Sequence, residues 1–426
     1  MSYKRYARQF SAWGIPALYA VLAVLAGLAF PRIESRVFPG LVVPWNIGSA
    51  TAIFSAISSG MIALTGIVFS LAFVMIQFSS TAYSPRLALW IARDPFLKHA
   101  LGVFTATFLY ALVALSWVGR NGSLRVPFFS SWIVIVLLMA SVAMFVGLTQ
   151  RLQLLQVNSI LRFTGDQGRE VIKTTYPLGS VPLRLESTEF HEMPPTQSLL
   201  HQGQPFVIQA IDIPAMVKLA RASGGVIEMV AAVGDTVVEL TPLLNVFAAR
   251  QPIDERKLRH RIEMGGERTF EQDPKYAIRL LVDIAIRALS PAINDPTTAV
   301  QALDQIGDLL LRLGQRQLEI GAFPDSDGKL RLVVPFPTWD DLLRLAFDEI
   351  CSYGANSVQV MRRMNALISD LTPAAPEARR AALKHWDKRL QATIARSFTD
   401  NEERVEASQQ DRQGLGVPRS HSSGIS

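Results

Sequence analysis

Between residues 55 and 77, seven side chains recur at intervals of 4, 4, 3, 4, 3 and 4: Ser55, Ser59, Ala63, Gly66, Ser70, Phe73 and Gln77. That spacing places them on one face of a helix, and six of the seven are small or polar. On an apolar helix such a face can serve two ends. Small residues let a second helix approach closely, with hydroxyls bonding across the contact. Alternatively, the face lines a hydrated path for ions. No Asp, Glu, Lys or Arg accompanies the stripe, whereas proton relays and ion-coupled carriers generally need one. A passive pore or a packing face therefore fits, and an ion-coupled pump does not. Ser59, Gly66, Ser70 and Gln77 are the candidate residues of this face.

Just beyond the stripe come Ser84, Pro85 and Arg86. Pro85 disfavours helix at Ser84, and an Arg at headgroup depth meets lipid phosphate. The trio reads as a bend with an interfacial anchor in preference to a gate or ligand site. Two polar turns later in the chain, Arg268–Pro274 and Ser290–Thr298, each lead into a helix that starts at proline. A helix N-terminus offers free N–H groups and partial positive charge to an anion. Asp273 and Asp295 can equally occupy those groups as N-caps. Arg268, Asp273, Asn294, Asp295 and Thr297 are the candidates of these turns.

Other chemistry is scarce. The single cysteine, Cys351, excludes a disulfide scaffold and any Cys-based zinc or iron–sulfur centre. The six histidines are scattered. There is no Walker-type loop, no GxGxxG after a strand and no GxSxG. No catalytic residue, metal ligand or cofactor is expected. The pairs Arg362–Arg363 and Arg379–Arg380 have acids nearby and read as solvated helix faces, so no nucleic-acid partner is expected.

The elements that must position these residues divide the 426-residue chain sharply. Hydrophobic residues make up 49% and charged ones only 18%, against roughly a quarter charged in soluble domains. The net charge of +6 is not spread evenly: residues 1–155 hold 11 Lys and Arg against two acids, and the remainder holds 31 against 34. Spanning a bilayer takes about 20 apolar residues in helical form. Four stretches without an acidic or basic side chain pass that test, at 13–30, 49–78, 99–118 and 128–149, within a membrane domain of residues 1–150. The first could instead be a cleaved signal peptide, but its apolar length favours a retained anchor. Basic residues in the connecting loops favour both termini inside.

The pattern stays helical after the fourth span, predicting a stalk over 151–176. Residues 177–255 read as a small β-rich unit, with strand-like Phe206–Ile208 and Thr236–Val238. Residues 256–400 read as a helical domain in which Thr338 and Asp341 form a capping box. Residues 401–426 are polar and read as a disordered tail. The expected fold class is thus four transmembrane helices followed by a cytoplasmic α+β domain with a small barrel-like unit and a helical bundle.

Several segments resemble a family of predicted bacterial membrane proteins known only as domain of unknown function 2254. They are Gly60–Ser70, Ser84–Leu87, Phe108–Ala111, Arg268–Pro274, Asp283–Ala299 and Tyr353–Arg363. The resemblance covers about residues 15 to 395 and implies a multi-pass bacterial inner-membrane protein with a large cytoplasmic part. It brings no established activity, so no functional residue carries over. A fainter likeness to biotinyl- and lipoyl-type half-barrels around Val233–Val238 supports a barrel but not a modified lysine.

These readings favour a homo-oligomeric, channel-like or transport-associated membrane protein, with the lipid bilayer and further copies of itself as partners. The alternative is a membrane-tethered regulatory or scaffold module that binds a small anion or a cytoplasmic protein through the turns at 268–274 and 290–298.

Overall fold

The structure, a computed structural model, describes residues 14–38, 43, 45–82, 95–118, 126–153, 157–178 and 193–416. The chain separates into two compact units, 1–156 and 157–426.

The first unit is helical: α1 (Gly14–Val37), α2 (Ile47–Ala82), α3 (Pro95–Leu115) and α4 (Phe128–Gln153). All four contain stretches long and apolar enough to cross a membrane: Gly14–Glu34, Ile47–Leu71, Pro95–Leu115 and Phe128–Gln150. They match the four expected spans to within a few residues, except that α1 continues through Pro31 to Val37 and so carries Arg32, Glu34 and Arg36 on the same helix. Helix α3 is the centre of the unit, with 44% of its apolar window buried against 17–28% for the others, and it packs on α1, α2 and α4. Close approach depends on missing side chains. A Cβ on Gly102 would lie 2.8 Å from the Tyr19 ring, and one on Gly147 would lie 2.6 Å from Phe96. Within the contact of α3 and α4, the buried hydroxyls of Thr107 and Ser141 meet at 2.8 Å, a bond that hydrocarbon surroundings reward because water cannot replace it.

The second unit opens with α5 (Val157–Thr175). This helix corresponds to the expected stalk, but it does not stand free. Ile160, Leu161, Thr164, Gly165, Gly168, Val171 and Ile172 form a buried stripe. Gly168 is pressed against Leu309 and Ala277, where a Cβ would come within 2.9 Å. Whether α4 runs into α5 turns on residues 154–156, outside the described residues.

Among the described residues eight strands follow: β1 (Gln197–Leu200), β2 (Phe206–Ile211), β3 (Val226–Met229), β4 (Thr236–Val237), β5 (Pro242–Phe247), β6 (Ile262–Gly265), β7 (Ala322–Pro324) and β8 (Leu330–Val333). They form two open sheets, ordered β1-β5-β3-β8-β7 and β4-β2-β6. The expected barrel-like unit is therefore corrected: no closed barrel forms among the described residues. One sheet instead recruits β8, parallel to β3 and about a hundred residues later, so 177–255 is not separate from the helical region. One core holds both sheets together, with Leu199, Ile227, Leu244 and Leu332 from one meeting Ile208 and Ile262 from the other. Helix α6 (Ile213–Ser223) adds Met216 and Ala220 to that core.

The helical layer comprises α8 (Pro274–Ala288), α9 (Pro296–Gly314), α10 (Trp339–Tyr353), α11 (Val358–Ala374) and α12 (Glu377–Ser397), after the short α7 (Glu255–Arg259). The Thr338–Asp341 capping box forms as expected at the start of α10. Beyond residue 400 the structure departs from the expected disorder. Residues Asn401–Ser408 form α13, Ala407 is fully buried, and the Arg362 guanidinium donates to the Glu406 carbonyl at 2.7 Å. The polar composition hid a segment held by hydrogen bonds to α11. Residues 417–426 lie outside the described residues.

Candidate functional site

Helix α2 has two distinct faces. Phe54, Ser58, Met61 and Val68 are buried against the rest of the unit. The predicted stripe lies more than a third of a turn round the helix from them. Ser59, Gly66 and Ser70 are exposed there, and a Cβ on Gly60 or Gly66 would meet nothing within 4 Å. Within the chain the stripe is thus not the surface along which α2 packs. The side chain of Gln77, and Ser84, Pro85 and Arg86, lie outside the described residues.

A second polar feature of this unit escaped the sequence reading. Glu34, near the end of α1, is 5% exposed. Its Oε1 accepts from the amides of Phe128 and, at 3.1 Å, Phe129. Its Oε2 accepts from Ser130 at 3.5 Å. The carboxylate therefore caps α4 from 94 residues away in sequence, putting a full negative charge against the positive end of that helix. The hydroxyls of Ser130 and of Tyr110, from α3, are buried beside it and face one another. The rings of Phe38 and Phe129 pack over this region with centroids 5.7 Å apart. Elsewhere in the unit, the Tyr19 hydroxyl and His99 Nδ1 are 3.2 Å apart across α1 and α3. The sequence signal for Glu34 is its place just past the apolar stretch 13–30, on the continuation of α1 through Pro31.

In the second unit the two candidate turns sit at opposite ends of α8. Its 15 residues set them roughly 22 Å apart along the helix, so they do not form one site. At the first turn Gln272 takes φ 55°, reversing the chain so that Arg268 reaches back over five residues. Arg268 Nε and Nη2 donate to Asp273 Oδ2 at 2.9 and 2.6 Å. The guanidinium also lies 5.4 Å above the Tyr276 ring. Gly234, with φ 91°, brings a turn so near that a Cβ would lie 2.4 Å from Asp273 and 2.8 Å from Arg268. Asp273 is 1% exposed, and burial raises its carboxyl above the ordinary carboxylate range against the opposing pull of Arg268. Burial and the neighbouring Asp273 charge likewise push the Tyr176 hydroxyl up. Asp273 makes no side-chain cap on α8, which corrects that half of the expectation: its charge goes to Arg268 instead.

At the second turn Asp295 does cap its helix, accepting from the Thr298 amide at 3.1 Å and the Thr298 hydroxyl at 2.5 Å. Asn294 takes φ 47° and donates its amide to Ser290 O at 2.9 Å. Thr297 Oγ1 accepts from Gln359 at 3.5 Å. Arg268, Asp295 and Thr297 are thus already engaged within the chain, while Asp273 Oδ1 is buried without a hydrogen bond. Cys351 is buried, and burial pushes its thiol up. Among the described residues no group of three His, Cys, Asp or Glu could hold a metal ion.

Comparison with known proteins agrees with this picture. Residues 9–370 match the family described as predicted membrane protein DUF2254. Uncharacterized proteins of Mycobacterium bovis and Mycobacterium tuberculosis are each 27% identical over 415 residues, covering 93% of this chain and 78% of theirs. No solved structure matches the chain. With four membrane-length helices and a family match over most of its length, the chain belongs to the DUF2254 family of membrane proteins.

Proposed function

We propose that this membrane protein assembles from several identical copies into a channel-like or transport-associated complex of the bacterial inner membrane, with both termini and the second unit in the cytoplasm. One observation carries the reading: the small, polar face of α2 around Ser59, Gly66 and Ser70 is open in the protomer while the opposite face is packed. Glycines and hydroxyls facing hydrocarbon gain nothing, whereas against a second copy or a water-filled axis they permit close packing or hydration. The basic bias of the loops supports the orientation. In the rival reading, a tethered module captures an anion at the turns flanking α8. Arg268 is bound to Asp273 and Asp295 occupies the start of α9, so that reading is confined to the start of α8, which has no side-chain cap.

Ion flux through liposomes containing the purified full-length protein tests the proposal. Flux that falls when Gly66→Leu fills the open face supports it. A folded preparation that conducts no ion under voltage or membrane tension overturns it.

A further inference from the structure

We propose that a cleft between α11, α12 and the segment after α13 binds a small phosphomonoester. This goes beyond the channel reading and does not rest on it. The cleft measures about 610 Å³, the size of a site for a small molecule. Ile368 and Leu383, both buried, form its floor. Asn365 lines one end and is locked there: its amide donates to Met361 O and Ala407 O, each at 3.1 Å, and its carbonyl accepts from Gln391 at 2.7 Å. The segment after α13 is tied to α11 by Arg412, which donates to both oxygens of Asp370 at 3.0 and 2.7 Å, and it brings Gln410 to the cleft. Walls held in place before a ligand arrives lower the cost of binding it.

Charge narrows the ligand. Arg380 and Lys384 sit one turn apart on α12, so both present their charge on one helix face, and both line the cleft. Arg380 Nε donates to Ala375 O at 3.0 Å, which steadies the guanidinium and leaves both Nη groups for a ligand. Among the described residues neither Arg380 nor Lys384 forms an ion pair. Arg379, the next residue in the chain, is by contrast already committed to the carbonyls of Leu313, Gly314 and Arg316. From α11, Ser369 adds a hydroxyl donor to the lining, while Thr372 already donates to Ile368 O at 2.7 Å. Two cations and a hydroxyl match a phosphate, which only accepts and which suits the forked donors of arginine. A metal cation would meet two positive charges and one carboxylate, Asp387. An apolar ligand would meet a lining in which seven of ten residues are polar or charged. Asp387 lies on α12 beyond Lys384, on the side away from Arg380. It repels a second phosphate and accepts from a hydroxyl. The ligand therefore carries one phosphate at the Arg380 end and hydroxyl-bearing carbons at the other.

Isothermal titration calorimetry of the full-length protein, in detergent and phosphate-free buffer, tests this with glycerol 3-phosphate and inorganic phosphate as probes. Both should bind, glycerol 3-phosphate the more tightly. Arg380→Gln and Lys384→Gln should each weaken both probes about tenfold, the loss of one charge-assisted bond. Asp387→Ala should separate the probes: it weakens glycerol 3-phosphate, which loses its acceptor, and tightens inorganic phosphate, which loses a repelling charge. All three side chains are exposed, and thermal melting of the ligand-free variants checks that the fold is intact. Should Arg380→Gln fail to fold for want of its bond to Ala375, Lys384→Gln and Asp387→Ala carry the test. No heat from either probe at millimolar concentration, affinities that ignore Lys384→Gln, or an Asp387→Ala variant that treats both probes alike overturns the proposal. So does lysophosphatidic acid binding through Lys384 where glycerol 3-phosphate does not, which assigns the cleft to a lipid headgroup.

Discussion

Two buried carboxylates, one in each unit, are neutralised in different ways. Glu34 takes backbone amides from the start of α4. Asp273 takes the guanidinium of Arg268. The contrast follows from the surroundings. Among membrane helices a second charged side chain would itself need burial, which hydrocarbon penalises, while a helix end brings donors that are present anyway. In the second unit Arg268 keeps 24% of its side chain exposed while holding a partner that is 1% exposed. One edge of the guanidinium stays in water, so the pair costs less to assemble than two fully buried ions.

The largest effect should come from breaking the ionic case. Asp273→Ala leaves Arg268 against Tyr276 and Gly234 without its carboxylate and should destabilise the second unit by about 3 kcal/mol, read from denaturant unfolding of the full-length protein in detergent. A loss below about 1 kcal/mol would show that Arg268 reaches solvent unaided. The amide case should be milder. Glu34→Ala should cost about 1–2 kcal/mol, the range of a lost N-cap, because Ser130 and Tyr110 leave polar groups nearby; thermal melting in detergent checks it. Asp325 combines both devices, accepting from Arg331 at 2.7 Å and from the amides of Asp327 and Lys329 at 2.9 and 3.1 Å. Chiefly through Arg331, its carboxyl is lowered from the ordinary 3.8 to about 2. A lowered folded value means the contribution is complete above pH 4 and disappears as pH falls towards 2. The stability gap between wild type and Asp325→Asn should therefore be flat above pH 4 and close below it; a gap independent of pH would remove Asp325 from the comparison. The smallest effect belongs to Gly66→Ala, within about 0.5 kcal/mol, since nothing lies within 4 Å of the added methyl. Gly102→Ala, which meets Tyr19 at 2.8 Å, is the destabilising control.

The sequence reading was strongest where the physics is local. Hydrocarbon admits no charge for about 20 residues, so the four spans could be read directly. The Thr338–Asp341 capping box and the Asp295 cap depend on residues three apart. What escaped depends on distance. Glu34 finds its amides 94 residues later, β3 finds β8 about a hundred residues on, and neither pairing leaves a periodic trace. Arg268 and Asp273 were singled out together, yet their bond needs the left-handed turn at Gln272, a conformation that glutamine rarely adopts. The stripe on α2 was legible as a stripe, but periodicity does not say whether a face looks inward or outward. Its openness follows from α3 packing on the other side.

Disulfide cross-linking in native membranes tests the central claim most directly. In a Cys351→Ser background, single cysteines at Ser59, Gly66 and Ser70 on α2 would be oxidised beside Val136→Cys on α4, which is 63% exposed. The account predicts covalent dimers at one or more α2 positions and few at Val136. Dimers absent from all three α2 positions, or equally frequent at Val136, would contradict it.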